Sequence, residues 1–303
     1  MTAMDPKPKI DGRFELLQKL GEGGMGEVWK AYEKSSGSVV AAKFLKKELS
    51  RAKDVTRFLR EIDHLGRILH PNVIRIRECS VNDLWYSMEY CPDGALSQIA
   101  GIGERNAMFS AKYTLQVAKG VKALHSAEPA ILHRDIKPAN ILMGADGNLK
   151  IADLGLSIAA DETHVTTSNW RTPGFAPPEQ DYDFAGLEAS GDIYSVGAVA
   201  YFLLTGNDQR RPPDLSPSNV TDAFSLLLPH MLAKNRSSRL VNINPAIDVL
   251  DAIANPGCSS YTLTVLQCEQ CGGAAIHFDQ SGIDNGIEWN ITCGFCGFRK
   301  WNL

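Results

Sequence analysis

The chain has 303 residues, 44% hydrophobic and 22% charged, a composition typical of a globular protein of about two domains and not of a disordered chain. Lysine and arginine number 31 against 35 acidic residues, which argues against a surface that binds nucleic acid throughout. The longest uncharged apolar stretch, 193–204, is shorter than the roughly 20 residues of a membrane-spanning helix. The N-terminus lacks an apolar signal segment, so we expect a cytoplasmic protein with no membrane partner.

Short apolar runs alternate with turn residues in the first third of the chain, which is typical of β-strands. Residues 1–12 are polar and contain prolines, and we expect a flexible tail there. Between 54 and 69 the apolar residues instead fall at helical spacing, until Pro71 ends the pattern. The predicted strands cover 13–20, 27–32, 39–45, 73–79 and 84–90.

Beyond residue 94 the pattern is mainly helical, with predicted helices at 113–125, 193–204, 224–233 and 245–254. A β-rich part followed by an α-rich part predicts an α+β fold of two lobes with a cleft between them. Asn255-Pro256-Gly257 marks a boundary, and beyond it the chain is richer in cysteine. We therefore predict one domain at 13–254 and a second at 258–303.

Residues 21–28 read Gly-Glu-Gly-Gly-Met-Gly-Glu-Val, a glycine-rich turn between two predicted strands. Glycines allow backbone N–H groups to approach phosphate oxygens closely. A dinucleotide-binding loop of this type would open a helix, and a strand is predicted here instead. On this motif alone, a hairpin turn without a ligand remains an alternative.

Charged residues recur at positions that suit phosphate chemistry. Lys43 lies in an apolar strand after the glycine loop, and Glu61, at the margin of the apolar helix face, is its candidate counter-ion. Taken alone, each could simply be a solvated side chain. Asp135 and Asn140 share one loop, and Asp153 follows in a later turn. Carboxylate and amide oxygens suit Mg²⁺ bound to nucleotide phosphates, so the set predicts phosphoryl transfer.

The order of these motifs over 14–254 closely resembles the eukaryotic-type (Hanks-type) serine/threonine protein kinase family. The resemblance covers about four-fifths of the chain and implies a bilobal fold, with a β-rich N-lobe and an α-rich C-lobe. It also implies transfer of the γ-phosphoryl group of ATP, with Mg²⁺ or Mn²⁺, to serine and threonine hydroxyls of protein substrates.

The resemblance assigns roles residue by residue. The catalytic set would be Asp135 as base, Lys137 as γ-phosphate stabiliser, Lys43 paired with Glu61 on the α- and β-phosphates, and Asn140 and Asp153 as magnesium ligands. The nucleotide would contact the glycine loop, two adenine-packing residues, the gatekeeper Met88 and the hinge backbone. These positions are Leu20, Gly21, Glu22, Gly23, Gly24, Met25, Gly26, Val28, Ala41, Met88, Glu89 and Cys91.

Lys137, two residues after the catalytic aspartate, is the serine/threonine-type arrangement. Thr172 resembles the threonine that contacts the catalytic loop in kinases of this type. The resemblance further implies that Asp192 braces the catalytic loop and that Arg239 pairs with Glu179. Serine/threonine specificity is therefore expected.

Three positions depart from the family pattern. Leu154 replaces the phenylalanine of Asp-Phe-Gly, Pro177 replaces the alanine of Ala-Pro-Glu, and Arg171 stands where a glycine is common. None of these changes removes a catalytic group, so an active kinase is expected. A nucleotide-binding pseudokinase scaffold that acts through partner binding is the alternative.

The segment between Asp153 and Glu179 resembles an activation segment. Thr166, Thr167 and Ser168 are candidate phosphorylation sites there. Arg134, beside the catalytic aspartate, is placed to receive a phosphate through charge-assisted hydrogen bonds. We expect phosphorylation of this segment to raise activity.

Two Cys-x-x-Cys pairs, Cys268 with Cys271 and Cys293 with Cys296, flank residues 272–292. Four thiolates at this spacing suit one tetrahedral, structural Zn²⁺. Residues 275–278 and 287–291 alternate around a turn at 284–286, so the segment resembles a small zinc ribbon built on a hairpin. Disulfide bonds and a rubredoxin-like iron site are the alternatives.

The ribbon segment carries more acidic than basic residues, and four zinc-bound thiolates would add negative charge. We therefore expect it to dock a protein partner and to bind nucleic acid weakly. The alternatives are a purely structural role and an aromatic and basic nucleic-acid patch. The patch would be formed by Phe295, Phe298, Arg299, Lys300 and Trp301.

Overall fold

The computed structural model describes residues 8, 10, 12–23, 26–46, 51–99, 107–159, 174–181, 188–206, 222–255, 261–267, 274–280, 289–292 and 299–302. Five antiparallel strands form the N-terminal sheet, in the order β1-β2-β3-β5-β4. They are β1 (Phe14–Glu22), β2 (Gly26–Glu33), β3 (Ser38–Leu45), β4 (Ile76–Ser80) and β5 (Trp85–Glu89). All five predicted strands are confirmed. Strand β4 begins later than predicted because Val73 forms an isolated bridge with Ile151 instead.

Helix α1 (Ala52–Arg67) packs beside this sheet and is the helix predicted at 54–69. Phe58, Glu61 and Leu65 are all buried, since residues three and four apart share one helix face. The helix ends two residues earlier than predicted because Ile68 has an extended backbone. Its buried face therefore carries a carboxylate among apolar side chains.

The following part is mainly helical. Its helices are α2 (Leu96–Ile99), α3 (Ala107–His125), α4 (Ala189–Thr205), α5 (Asp222–Met231) and α6 (Asn244–Ala254). Helix α3 begins at Ala107, earlier than the predicted residue 113. The sequence pattern missed its first turns because the apolar Met108 and Phe109 are exposed there and do not continue the periodicity of the buried face. Two short antiparallel ladders lie between α3 and α4: β6 (Ile131–Leu132) with β9 (Ile158–Ala159), and β7 (Ile141–Met143) with β8 (Leu149–Ile151).

One continuous core joins the sheet to the helices. It includes Ala41, Tyr86 and Met88 from the sheet and extends through Leu154 to Val196 on α4. A smaller apolar cluster covers the opposite face of the sheet, around β2 and β3. The continuous core fixes the loops that follow β6 and β8 against the underside of the sheet, where a cleft lies. Every helix of the described ranges is too short or too polar to cross a lipid bilayer.

A second, four-stranded antiparallel sheet lies near the C-terminus, with its strands in sequence order. They are β10 (Tyr261–Gln267), β11 (Ala274–Gln280), β12 (Trp289–Thr292) and β13 (Arg299–Asn302). The predicted hairpin pairing is confirmed, because Ile276 pairs with Thr292 and His277 with Ile291. Strands β10 and β13 add one strand to each edge of that hairpin and were not predicted. The four cysteines of the two Cys-x-x-Cys pairs lie outside the described residues.

Candidate active site

A cavity of about 710 Å³ lies between the underside of the N-terminal sheet and the loops after β6 and β8. Gly21 and Gly23 line it, and a Cβ added at either position would meet no atom within 4 Å. Gly26 differs, because an added Cβ there would collide with the carbonyl oxygen of Phe44 on β3. The first two glycines therefore leave space beside the cavity, and the third allows β2 to approach β3.

Apolar side chains and the hinge backbone form another part of the cavity wall. Glu89 and Cys91 follow the buried Met88 and also line the cavity. Burial, reinforced by Glu89, raises the pKa of the Cys91 thiol to about 12, so this thiol stays protonated. The predicted adenine-contact residues meet at this wall, which includes Leu20, Val28, Ala41, Met88, Glu89 and Cys91.

Lys43 joins two carboxylates from different parts of the chain. Its Nζ lies 2.7 and 2.8 Å from the two oxygens of Glu61 on α1, and 3.0 Å from Oδ1 of Asp153. Tyr86 Oη also donates to Glu61 Oε1, at 2.8 Å. Burial opposes the charge of Lys43, but Asp153 and Glu61 outweigh it and hold the pKa of Lys43 well above its ordinary value. Lys43 in turn lowers the pKa of Asp153.

The loop after β6 brings Asp135, Lys137 and Asn140 together. Lys137 Nζ lies 2.8 Å from Asp135 Oδ2, and Asn140 Nδ2 donates to the same oxygen at 3.0 Å. A 3₁₀ turn at Pro138–Asn140 returns the chain toward Asp135. All three residues line the cavity with Asp153, so the arrangement presents two carboxylates, an amide and an ammonium to one space.

Asp192, at the start of α4, holds this loop from below. Its Oδ2 accepts from the backbone N–H of His133, and its Oδ1 from that of Arg134, each at 2.8 Å. His125 Nε2 lies 2.9 Å from Oδ2. Arg134 has a φ of +67°, a backbone conformation that is costly for a non-glycine residue. The buried carboxylate stabilises that conformation, and the contact expected of Asp192 is present.

The expected pair of Arg239 and Glu179 is also present and buried. Its two side-chain contacts measure 2.5 and 2.7 Å. Glu22, in contrast, is exposed and pairs with Lys19 and Lys46 at the end of β1. Among the predicted site residues, Gly24, Met25, Thr166, Thr167, Ser168 and Thr172 lie outside the described ranges.

Several buried or half-buried polar residues contact the site and were not predicted. Tyr86 donates to Glu61, His125 contacts Asp192, and His64 on α1 lies 2.7 Å from Ser157. Lys150 on β8 pairs with Glu89 of the hinge at 3.1 Å. Polar residues at otherwise apolar positions of strands and helices are the sequence signal that could have found them.

These residues fit a nucleotide and a magnesium ion. Mg²⁺ is commonly held by one or two carboxylates, waters and the phosphates themselves, and Asp153 and Asn140 supply protein oxygens beside the glycine loop. Asp153 keeps 47% of its side-chain surface exposed although it contacts Lys43. Groups of three or more histidine, cysteine or acidic residues that could hold a metal alone are absent from the described ranges. The donor set therefore suits a metal that arrives with phosphate.

Fold and cavity define a two-lobed domain arranged for nucleotide chemistry. The model of the protein kinase domain family matches residues 14–216, more than half of the chain. The chain therefore belongs to the protein kinase family, as the motifs indicated.

Curated relatives agree with this assignment. The chain is 31% identical to the DNA damage-responsive serine/threonine-protein kinase RqkA of Deinococcus radiodurans, over 78% of this chain and 39% of that protein. It is 34% identical to an Aurora kinase of Dictyostelium discoideum, over 66% of this chain and 53% of that kinase. Identity to the probable serine/threonine-protein kinase pknA2 of Bifidobacterium longum is 33%, over 68% and 28% of the two chains. The chain thus matches about half or less of each relative.

Proposed function

We propose that the protein is an ATP- and magnesium-dependent serine/threonine protein kinase. The observation that carries the proposal is the position of Lys43, paired with both Glu61 and Asp153 at the wall of a cavity that Asp135 also lines. Phosphoryl transfer requires charge neutralisation, alignment and an acceptor for the hydroxyl proton. Lys43, Asp153 with Asn140, and Asp135 meet these three requirements.

In this mechanism Asp135 Oδ accepts the proton of the serine or threonine hydroxyl as that oxygen attacks the γ-phosphorus. Lys137 and Asn140 orient the Asp135 carboxylate through contacts of 2.8 and 3.0 Å, and Lys137 also faces the transferred group. Lys43 would bind the α- and β-phosphates. Asp153 and Asn140 would hold magnesium, which when bound would neutralise phosphate charge. The backbone of Gly21 and Gly23 covers the phosphates.

Two observations support serine and threonine as acceptors. Lys137 follows Asp135 at the spacing typical of serine/threonine kinases, and the relatives described above are named serine/threonine or Aurora kinases. Protein substrates with serine or threonine acceptors are therefore proposed.

An Asp135→Asn variant tests the catalytic assignment. Loss of a general base lowers the rate by about 10²–10⁴-fold, and transfer to a generic protein substrate should fall by at least a hundredfold. Nucleotide affinity should persist because Lys43, Asp153 and the glycine loop remain. Asp83→Asn, in the exposed β4–β5 turn, is the matched control and should keep wild-type activity. A wild-type protein that binds nucleotide without transferring phosphate would instead establish a pseudokinase scaffold.

We further propose that phosphorylation within residues 166–168 raises activity. Supporting this, Arg134 lies beside Asp135 in the loop after β6, and its guanidinium is buried. A phosphate on residues 166–168 would pair with this guanidinium and order the segment that carries the phosphate. Phosphatase treatment should lower activity, and mass spectrometry should find the lost phosphate on Thr166, Thr167 or Ser168. Unmodified yet fully active protein would overturn this proposal.

A structural zinc site at Cys268, Cys271, Cys293 and Cys296 is the third part of the proposal, with protein docking as its role. The register of the C-terminal sheet supports it. Gln267 pairs with Ala274, Ile276 with Thr292, and Thr292 with Arg299. The strand ends that precede the two Cys-x-x-Cys pairs therefore lie at one end of the sheet.

Elemental analysis of protein purified without added metal tests the zinc site. One zinc per chain is expected, and Cys293→Ser should lose it while nucleotide binding persists. Cys258→Ser, outside the two pairs, should retain the zinc. Iron in place of zinc, or disulfide-linked cysteines without metal, would overturn the assignment, and tight RNA or DNA binding at physiological salt would overturn the docking role.

A further inference from the structure

A buried hydrogen-bonded chain connects α1 to the segment Asp153-Leu154-Gly155. His64 Nδ1 lies 2.7 Å from Ser157 Oγ, and Ser157 Oγ lies 2.5 Å from the carbonyl oxygen of Leu154. Both side chains are at most 2% exposed. A serine hydroxyl carries one proton, and at 2.5 Å a carbonyl oxygen requires that proton. His64 Nδ1–H is therefore the donor to Ser157, and Ser157 the donor to Leu154.

The hydrogen-bonded chain from His64 through Ser157 ends at Leu154, next to the strained residue Asp153. Asp153 has a φ of +63°, a conformation that costs a non-glycine residue free energy unless its surroundings impose it. The carbonyl groups on both sides of Asp153 are held: His133 Nε2 lies 3.2 Å from the oxygen of Ala152, and Ser157 donates to that of Leu154. The backbone N–H of Ser157 also donates to Leu154, at 3.0 Å. Through Ser157, His64 therefore helps to hold the backbone next to Asp153.

The position of His64 on α1 connects these contacts around Asp153 to Lys43. Glu61 and His64 are three residues apart and both face the interior, so that one helix face contacts Lys43 through Glu61 and the Asp153 segment through His64. Any movement of α1 that separates Glu61 from Lys43 would also separate His64 from Ser157. Helix α1 therefore contacts Lys43 through Glu61 and is coupled to the segment of Asp153 through the His64 side chain.

We infer that His64 and Ser157 are positioning residues for the proposed kinase reaction, which hold Asp153 where it can bind magnesium and contact Lys43. The inference rests on the proposed function. Burial lowers the pKa of His64 to about 4, so the ring stays neutral near pH 7 and the same nitrogen keeps its proton. The hydrogen bonds from His64 to Ser157 and from Ser157 to Leu154 therefore position Asp153 without adding a charge to the cavity.

Four variants of the full chain test this inference: His64→Leu, His64→Asn, Ser157→Ala, and His64→Leu with Ser157→Ala. ADP affinity is measured with and without Mg²⁺ by calorimetry, and kcat and KM for ATP are measured alongside. His64→Leu and Ser157→Ala should each lose about fivefold to tenfold of the gain in ADP affinity that Mg²⁺ provides, a typical coupling between sites. ADP affinity without Mg²⁺ should stay within about twofold, because Lys43 and the hinge remain.

The asparagine variant is the matched control. Its side-chain amide can place an N–H near the position of Nδ1, so His64→Asn should recover most of the magnesium gain that His64→Leu loses. The double variant should lose no more of the magnesium gain than the poorer single variant, because both substitutions break the same series of hydrogen bonds. Equal losses with and without Mg²⁺, or an asparagine variant as poor as the leucine variant, would overturn the inference.

The proposed function fails by a different outcome. A wild-type protein that shows magnesium-dependent ADP binding but no phosphate transfer would overturn the kinase assignment, while the binding measurements would still decide whether His64 positions Asp153. Wild-type transfer with unchanged magnesium dependence in all four variants would overturn the role of His64 alone. Ser157→Ala removes a single oxygen and keeps the Leu154 turn through the backbone N–H, so a folded variant is available for this test.

Discussion

Two buried ion pairs, Lys43 with Glu61 and Arg239 with Glu179, differ in how completely the protein surrounds the cation. Arg239 is 1% exposed, and its guanidinium makes two contacts to Glu179 and three to backbone carbonyl oxygens. These contacts use all five N–H donors of an arginine. The pair has no side that faces the cavity.

Lys43 is also buried, but its second carboxylate partner, Asp153, remains half exposed at the cavity wall. The site therefore offers a cation and a carboxylate whose outer faces can meet phosphate and metal. Burial and pairing alone therefore do not identify a functional charge. An ion pair that borders a cavity and joins separate elements supports chemistry, whereas one enclosed on all sides supports the fold.

Disrupting the pair of Lys43 and Glu61 should lower the rate of phosphate transfer strongly. Lys43→Met should lower phosphate transfer by about 10²–10³-fold, the usual result of removing one preorganised electrostatic group. The free energy of unfolding should also fall, because Glu61 is left buried without its cation. This fall should be smaller than for Arg239→Met, because Tyr86 still donates to Glu61 and burial raises the pKa of Glu61, so that its carboxyl can take up a proton.

Transfer assays and urea denaturation of the same preparation check both expectations. Activity within tenfold of wild type would contradict the role assigned to Lys43. Lys46→Met is the matched control, because Lys46 lies one residue beyond β3 and pairs with the exposed Glu22.

The second pair should show the opposite balance. Arg239→Met leaves Glu179 buried without its cation, and breaking a buried pair in this way costs about 3–5 kcal/mol of unfolding free energy. Arg239→Lys keeps the charge but loses the two-pronged geometry, so its loss should be smaller. Urea denaturation measures all three proteins. A methionine variant as stable as wild type but unable to transfer phosphate would reverse the comparison, since Arg239 would then act in catalysis.

The motif residues of the cavity could be predicted because each sits at a fixed spacing within a short segment. Lys43, Asp135, Asn140 and Asp153 all line the predicted cleft. Only Lys43 lies on a predicted strand, and the short strands β6 to β9 beside the other three residues were not predicted. Glu61 was harder, since a glutamate at the margin of an apolar helix face is usually solvated. Its burial depends on a lysine from a distant strand, which the sequence offered as a candidate partner and the family resemblance supported.

The contacts of His64 and Ser157 could not be predicted in the same way. They join residues far apart in sequence, and neither residue belongs to a short motif with chemical meaning. Strands β10 and β13 were missed for a different reason: the cysteine spacing focused the prediction on the hairpin between the two pairs. A periodic apolar pattern identifies an element, whereas the partner of a single buried polar side chain depends on the whole tertiary fold.

Acidification should separate the two charged residues Lys43 and Asp153 from the neutral His64. The pKa of Lys43 is raised and that of Asp153 lowered, so both stay charged between pH 7 and pH 5. His64 is different: its pKa is lowered from 6.5 to about 4, chiefly by burial. The nearby Arg60 and Arg67 contribute to this lowering, and Asp63 opposes it. In the unfolded chain the ring takes up a proton below about pH 6.5.

The sign follows from proton uptake. Between pH 6.5 and about 4 the unfolded chain binds a proton at His64 that the folded chain excludes, so stability falls as the pH falls through this window. The loss at pH 5 relative to pH 7 should be about 2 kcal/mol from this residue. His64→Asn cannot titrate and should lose that much less than wild type in urea denaturation at the two pH values. Equal losses in both proteins would show that His64 is accessible to protons in the folded state, and would contradict the enclosed hydrogen-bonded chain to Ser157 and Leu154.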